Sequence, residues 1–135
     1  MREAGLGLDR DARERLVELL GQGGMATIYR AQDAQLGRDV AVKLLRAEYG
    51  SDPAFLARFR QEAQAAAALN HPNIVTVYDA GTSENGTYIA MELLKGKDLR
   101  QLLSVGWRPT AVQAALVVRR VADALSYAHH KGVIH

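Results

Sequence analysis

The chain has 135 residues, enough for one compact domain with a hydrophobic core. Hydrophobic residues make up 48% of it and charged residues 24%, which is ordinary globular composition and argues against disorder. The net charge of +2 gives no reason to expect binding to nucleic acid or to a membrane surface. The sequence has no cysteine, which excludes disulfides and thiolate metal sites, and no metal ligands are predicted.

The N-terminal region does not resemble a targeting or membrane segment. Residues 1–15 are interrupted by Arg, Asp and Glu, and no apolar run approaches the length of a transmembrane helix. We therefore expect a cytoplasmic location for this chain.

Three strands are predicted at the start of the chain. Residues 15–20 are a short apolar run that stops at Gly21, and residues 27–33 alternate between apolar and polar side chains. Residues 36–39 are predicted to form a turn and residues 40–45 (VAVKLL) a third strand. Because only short turns separate them, the strands are predicted to form an antiparallel meander rather than a βαβ unit.

A helix is predicted next, over residues 54–69. The Ser-Asp-Pro sequence at residues 51–53 supplies a cap and an early proline, and Asn-His-Pro-Asn at residues 70–73 ends the helix. Its apolar positions fall on one face: Phe55, Phe59, Ala63, Ala66 and Leu69.

Two further strands and two helices complete the predicted order. Residues 74–79 and 87–93 are rich in β-forming residues, and the Asn85-Gly86 dipeptide between them indicates a hairpin turn. A short helix is predicted over residues 98–103.

The second of these helices is long. It is predicted to run from Pro109-Thr110 to about residue 131, with Gly132 as its stop, and residues 133–135 are predicted to begin another strand. Its apolar stripe consists of Val112, Ala115, Leu116, Val118, Val121, Ala122 and Leu125.

A glycine-rich stretch, GQGGMA, lies between the first two predicted strands. Glycines there let backbone N–H groups approach phosphate oxygens without interference from a Cβ atom. Taken alone this stretch is weak evidence, since glycines in a hairpin usually mark only a turn.

Two charged residues, Lys43 and Glu62, could act together with the glycine loop in binding phosphates. Alternation along the third strand places Lys43 on the same face as Ala41, within reach of phosphates under the glycine loop. Glu62, on the following helix, could form a charge-assisted hydrogen bond with Lys43. Taken singly, a surface lysine and a local pair between Glu62 and Arg58 would be the simpler interpretations.

The ordered motifs together resemble the ATP-binding half of a bacterial serine/threonine protein kinase. Residues 20–43 (LGQGGMATIYRAQDAQLGRDVAVK) match a glycine-rich loop followed by a strand lysine. RFRQEA, HPNIV, YIAMELLKG and HHKGVIH follow in the family's order, so the resemblance covers residues 15–135. A dinucleotide-binding fold is the weaker interpretation, because it needs a helix directly after the glycines.

The resemblance implies an α+β fold: a kinase-like N-lobe, with a five-stranded antiparallel sheet and one main helix, followed by the helical start of the C-lobe. Residues 1–14 are then an N-terminal extension, residues 15–94 the ATP-binding lobe, and residues 95–135 the hinge and a partial C-lobe. It also implies ATP as the nucleotide and a protein as the substrate of the parent enzyme.

By the same resemblance, Lys43 contacts the α- and β-phosphates and pairs with Glu62. Met91 occupies the gatekeeper position, and Glu92 and Leu94 belong to the hinge. The glycine loop and the roof over the adenine ring are implied to consist of Leu20, Gly21, Gln22, Gly23, Gly24, Met25, Ala26, Ile28 and Ala41. Ala26 stands where the usual pattern has a third glycine, which would cost about 1 kcal/mol or more if positive φ were needed there.

His135 matches the histidine of the family's His-Arg-Asp catalytic motif, and the motifs that follow it are not among the 135 residues. Mg²⁺ is expected for the parent enzyme, with its protein ligands among those later motifs. We therefore expect this chain alone to be inactive in phosphate transfer, and a partial sequence of a longer kinase is the leading explanation.

Two alternatives about partners stay open. The chain could be a non-catalytic lobe that binds nucleotide or another kinase. It could also associate with itself, either through the N-lobe or through the long helix, where we expect exposed apolar side chains at Val112, Leu116, Val121 and Leu125.

Overall fold

The computed structural model of the chain describes residues 14–35, 37–83 and 86–134. The predicted turn positions Leu36 and Asn85, and also His135, lie outside these residues. The described residues fall into two compact units. The first runs to Ala68 and resumes over Val75–Leu93, and the second comprises Leu69–Ile74 and the residues from Leu94 onward.

The first unit is built on a sheet that has five strands among the described residues. Its first three strands are β1 (Glu14–Gln22), β2 (Ala26–Asp33) and β3 (Arg38–Leu45). They pair antiparallel in chain order, which confirms the predicted meander. Because a strand and not a helix follows the glycines, the dinucleotide-binding interpretation is wrong.

The turn before β3 lies earlier than predicted. The N–H of Gly37 donates to the carbonyl oxygen of Asp33 at 2.8 Å, and Gly37 has a φ of 63°. Such a φ is strained for a residue with a side chain and easy for glycine. As a result β3 already begins at Arg38, two residues before the predicted start.

The last two strands of the sheet are β4 (Val77–Ser83) and β5 (Gly86–Met91). β5 lies between β3 and β4, and the strand order is β1-β2-β3-β5-β4. β4 begins three residues later than predicted, because His71 holds the chain in a turn. Its carbonyl oxygen accepts the N–H of Ile74 at 3.1 Å and its Nδ1 accepts the N–H of Asn73 at 3.0 Å.

Two helices lie between β3 and β4 in the chain, α1 (Ala47–Gly50) and α2 (Pro53–Ala67). The predicted start of α2 is confirmed: the carboxylate of Asp52 accepts the N–H of Ala54 at 2.9 Å, and proline follows it. Helix α1 was not predicted. It is a single turn whose N-cap, Arg46, makes no side-chain capping bond.

Buried side chains form one cluster on each face of the sheet. Val40 and Val42 of β3 belong to the first cluster, together with Leu16, Ala31 and Ala90. Leu45 belongs to the second cluster, where Phe59 and Ala63 of α2 pack. Since side chains alternate along a strand, Lys43 lies on the same face as Leu45, the face that α2 covers.

The second unit contains α3 (Leu99–Ser104) and α4 (Ala111–His130). Both begin with a capping box, Asp98 with Gln101 and Thr110 with Gln113. The short helix predicted over residues 98–103 and the start of the long helix at Pro109-Thr110 are thus confirmed. No helix in the described ranges is long and apolar enough to cross a membrane.

The end of α4 differs from the prediction. Gly132 has a φ of 83°, its N–H donates to His129 O at 3.0 Å, and the N–H of Val133 donates to Ala128 O at 2.9 Å. These two bonds form a Schellman motif, which closes the helix. Val133 and Ile134 therefore extend no strand, and the strand predicted over residues 133–135 is wrong for its described part.

Much of the apolar stripe of α4 is exposed. The exposed fractions are 78% for Val112, 44% for Leu116, 65% for Val118 and 52% for Val121. The expected exposure is thus found at Val112, Leu116 and Val121, whereas Leu125 is half-buried.

Candidate functional site

A cavity of about 420 Å³ opens in the first unit, beside the glycine stretch. A volume of this size suits a small organic ligand. It is lined from three elements and one loop, by Gly23, Gly24, Met25, Ala26, Ile28, Lys43, Phe55, Arg58, Phe59 and Glu62. Seven of the predicted site residues are therefore brought together around one space.

The glycine loop is shorter than the sequence indicated. β1 extends to Gln22 and β2 begins at Ala26, so the connecting loop consists of Gly23, Gly24 and Met25. The N–H of Gly23 donates to the carbonyl oxygen of Ala26 at 2.8 Å, which closes the turn. Ala26 lies in a strand, and no described residue other than glycine has positive φ, so alanine there carries no backbone strain.

Gly24 is open on its side-chain side. A Cβ atom built on it would meet nothing within 4 Å, so the protein's own packing does not require glycine at this position. What glycine provides instead is an unobstructed backbone. A ligand can therefore approach the N–H groups of the loop closely.

Lys43 lies on β3 between two neighbouring strands. Its Cα partners are Ile28 on β2 and Ile89 on β5. The side chain is half-buried and faces the cavity. A hydrogen-bonded strand on each side fixes its backbone, so the ammonium group is presented to the cavity from a rigid element.

Glu62 faces the same cavity from α2. Among the described residues, neither Lys43 nor Arg58 forms an ion pair with Glu62; the ion pairs found there are those of Arg30 and Arg46. The predicted Lys43–Glu62 contact is therefore absent from this arrangement, and so is the simpler local pair with Arg58. The cavity holds two cations and one carboxylate.

Seven predicted site residues do not line this cavity. Leu20, Gly21 and Gln22 belong to β1. Ala41 pairs with Met91 across β3 and β5, and Met91 packs against the buried cluster of α2 and the sheet. Ala41 and Met91 therefore lie where ordinary core residues of the sheet would also lie.

The last two of these residues follow β5. The N–H of Glu92 donates to Thr76 O at 2.8 Å, and Oε1 of Glu92 accepts the N–H of Thr76 at 3.2 Å. Glu92 therefore extends the β4–β5 pairing by one residue. Leu94 belongs to the second unit and is 64% exposed.

The sequence did not identify the contributions of Phe55, Arg58 and Phe59 to the cavity. Phe55 and Phe59 were predicted only as core positions, and Arg58 only as a neighbour of Glu62. The available signal was helical spacing, because residues three, four and seven positions before Glu62 share its side of α2. That spacing becomes informative only once Glu62 is known to face a cavity.

Comparisons with known proteins agree with this arrangement. The sequence matches the model of the family described as "Protein kinase domain" over residues 15–135. A probable serine/threonine-protein kinase of Streptomyces coelicolor is 47% identical over 127 residues, covering 91% of this chain and 19% of that protein. Serine/threonine-protein kinase PknB of Mycobacterium tuberculosis is 46% identical over 127 residues, covering 91% and 20%.

Solved structures give the same assignment. A crystal structure of the Mycobacterium tuberculosis PknI kinase domain has a TM-score of 0.76 and 32% identity, covering 92% of this chain and 51% of that chain. A double-mutant form of that domain has a TM-score of 0.80 and 31% identity, covering 100% and 53%.

The α+β kinase-like fold expected from the sequence is confirmed. The chain spans about one fifth of the length of the curated relatives it matches. The family uses ATP and Mg²⁺ and acts on proteins. The chain therefore belongs to the protein kinase family, in its bacterial serine/threonine branch.

Proposed function

We propose that this chain binds ATP as part of a serine/threonine protein kinase, which transfers the γ-phosphate of ATP to Ser or Thr side chains of proteins. One observation carries the proposal: Lys43 faces a cavity that is closed on one side by the glycine loop. An ammonium group and free backbone N–H groups around one space are suited to a polyphosphate.

Within this proposal the glycine loop covers the phosphates and Lys43 contacts the α- and β-phosphates. Glu62 would orient Lys43 after a shift of α2 that brings the two side chains together. The family resemblance supplies the remaining roles: Leu20 to Gln22 and Ala26 at the loop, Ile28 and Ala41 above the adenine ring, Met91 as gatekeeper, and Glu92 and Leu94 as hinge. Residues 15–94 and 95–135 are proposed as the two lobes.

Mg²⁺ is proposed for the parent enzyme, and no ligand for it is assigned among the described residues. None of them form a group of three or more His, Cys, Asp or Glu side chains that could hold a metal ion. The proposal therefore assigns no metal ligand to this chain. Its residues bind and orient the nucleotide, and we expect no phosphate transfer by the 135-residue polypeptide alone.

A second candidate is a non-catalytic lobe that binds nucleotide or another kinase. The observation that favours it is the separation of Lys43 from Glu62, since that pair is needed for phosphate transfer in the family. Co-purification with a complete kinase that a Lys43→Met variant retains would support this candidate. Loss of the interaction in that variant would instead link it to nucleotide binding.

The proposal includes two further points about the chain's surroundings. We infer that the chain associates with itself through the exposed apolar side chains of α4, and association through the sheet unit is the alternative. We also propose a cytoplasmic location, because the proposed kinase uses ATP.

Titration calorimetry with ATP tests the proposed function directly. We expect the chain to bind ATP and a Lys43→Met variant to bind it about tenfold more weakly, because the variant loses a charge-assisted contact. Lys131→Met removes the same charge from a residue that does not line the cavity, and should bind as the original chain does. If the folded chain does not bind ATP, the proposal is wrong.

A further inference from the structure

Arg46 is the residue after β3, and it contacts the glycine loop by both backbone and side chain. Its N–H donates to the carbonyl oxygen of Met25 at 2.8 Å. Its Nη1 lies 3.4 Å from the carbonyl oxygen of Gly23 and 3.5 Å from that of Gly24. Three successive carbonyl groups of the loop therefore face one residue.

The guanidinium group of Arg46 is itself held in place. Its Nε and Nη2 donate to one carboxylate oxygen of Glu48, at 3.1 and 2.9 Å. It also lies over the ring of Tyr49, 5.8 Å from the centroid, and that ring packs on Phe55, which lines the cavity. The planar fork of arginine allows contacts in both directions at once, which a lysine cannot make.

Contacts to these carbonyl groups determine where the loop's N–H groups point. In a planar trans peptide unit, the C=O of one residue and the N–H of the next point in opposite directions. With the carbonyls of Gly23 and Gly24 turned toward Arg46, the N–H groups of Gly24 and Met25 are turned away from it. Neither N–H donates a hydrogen bond to any other described residue.

The cavity is lined by Gly23, Gly24 and Met25 but not by Arg46. We propose that Arg46 is a positioning residue: it holds the outer, carbonyl side of the glycine loop so that the N–H groups of Gly24 and Met25 stay available to the phosphates of a nucleotide. This inference rests on the proposed ATP binding and adds a residue that the nucleotide itself does not touch.

The test compares two ligands that differ only in phosphates. Dissociation constants for ATP and for adenosine are measured by calorimetry for the original chain and for Arg46→Gln. We expect Arg46→Gln to weaken ATP binding about fivefold, the effect of losing one hydrogen bond, and to leave adenosine binding unchanged. A role limited to general stability would weaken both ligands alike, and that result would overturn the inference.

Two more variants separate geometry from charge. Arg46→Lys keeps the charge but cannot hold Glu48 and the loop together, so it should also weaken ATP binding, whereas full recovery in this variant would show that charge alone matters and overturn the inference. Glu48→Ala removes the anchor and should weaken ATP binding by a smaller factor. Its effect should disappear when Arg46→Gln is already present, as a double-mutant cycle would reveal.

Arg30→Gln is the matched control. It removes the same charge from a side chain that pairs with Glu18 and Asp39 instead of the loop, and it should bind ATP as the original chain does. Circular dichroism checks that each variant is folded. Should Lys43→Met weaken ATP binding while Arg46→Gln does not, only this inference fails; absence of ATP binding by the original chain would refute the proposed function itself.

Discussion

Lys43 and Glu62 face the same cavity from two different kinds of element, a strand and a helix, without contacting each other. In the proposed function both groups lie near the triphosphate, one as a cation that attracts it and the other as a carboxylate that repels it. As long as the two stay apart, the charge of Glu62 opposes nucleotide binding rather than supporting it.

Because of this arrangement, removing the charge of Glu62 should strengthen ATP binding rather than weaken it. We expect Glu62→Gln to bind ATP about twofold more tightly than the original chain, because one negative charge leaves the cavity while Lys43 keeps its position. Calorimetry at low ionic strength is the measurement. Asp123→Asn, an exposed carboxylate of α4 that does not line the cavity, is the control and should have no effect.

A weakening of ATP binding by Glu62→Gln, comparable to that by Lys43→Met, would contradict this prediction. It would mean that the two side chains pair in solution and that Glu62 orients the lysine.

For single residues, the sequence predicts which side chains face the site. It predicts less well which of those side chains contact each other. Strand alternation placed Lys43 on the face of Ala41, toward the glycine loop, and in the structure Lys43 lines the cavity beside that loop. The absence of a contact with Glu62 depends on how far α2 stands from β3, a distance that periodicity does not determine. Arg58 was missed as a cavity residue for the same reason.

Helix α2 is attached to the sheet mainly through Phe59 and Ala63, which are 1% and 4% exposed. We expect Phe59→Ala to lower the free energy of unfolding by about 3–5 kcal/mol, because it leaves a cavity between helix and sheet. Urea unfolding followed by circular dichroism measures this. Phe59→Leu keeps most of the buried volume and should cost less than about 1.5 kcal/mol. Equal losses in both variants would contradict the packing explanation.

Helix α4 depends on its first turn. The hydroxyl of Thr110 accepts the N–H of Gln113 at 3.1 Å, and the side chain of Gln113 accepts the N–H of Thr110 at 2.9 Å. We expect Thr110→Ala to cost about 1 kcal/mol of stability, because an N–H at the helix start loses its partner. Thr110→Ser retains the hydroxyl and should cost much less. Denaturant unfolding, followed by the helical signal in circular dichroism, distinguishes the two variants.

Element boundaries were predicted where a capping side chain marks the start of a helix and were missed in two places where none does. Asp52, Asp98 and Thr110 cap helices that the sequence had identified. Helix α1 has no capping side chain, and β4 is delayed by a turn held by His71. Helix α1 leaves no capping pattern in the sequence, and the Asn-His-Pro-Asn stretch marks the end of α2 without giving the length of the turn that follows it.

At the scale of the whole molecule, the exposed valines of α4 are the feature with the clearest consequence for association. Several exposed apolar side chains on one helix favour contact with another chain. We expect the chain to sediment as a species larger than the monomer at micromolar concentration. A Val118→Glu, Val121→Lys double variant should shift it toward monomer, because charged groups resist desolvation.

Arg119→Glu provides the control for that experiment, since it changes the charge of α4 without removing an apolar side chain. It should leave the sedimentation coefficient unchanged. A monomer at all concentrations for the original chain would show that these valines do not mediate association of this chain with itself.

The place of β3 in the sheet has a mechanical consequence. It is the middle strand of five, hydrogen-bonded to β2 on one side and to β5 on the other, so the backbone of Lys43 cannot shift without breaking the sheet. Helix α2 packs on the sheet through side chains such as Phe59 and Ala63, so it can shift without breaking the backbone hydrogen bonds of the sheet. If the proposed function holds, we expect an activator of the parent kinase to act on helix α2 and bring Glu62 to Lys43, while β3 stays in place.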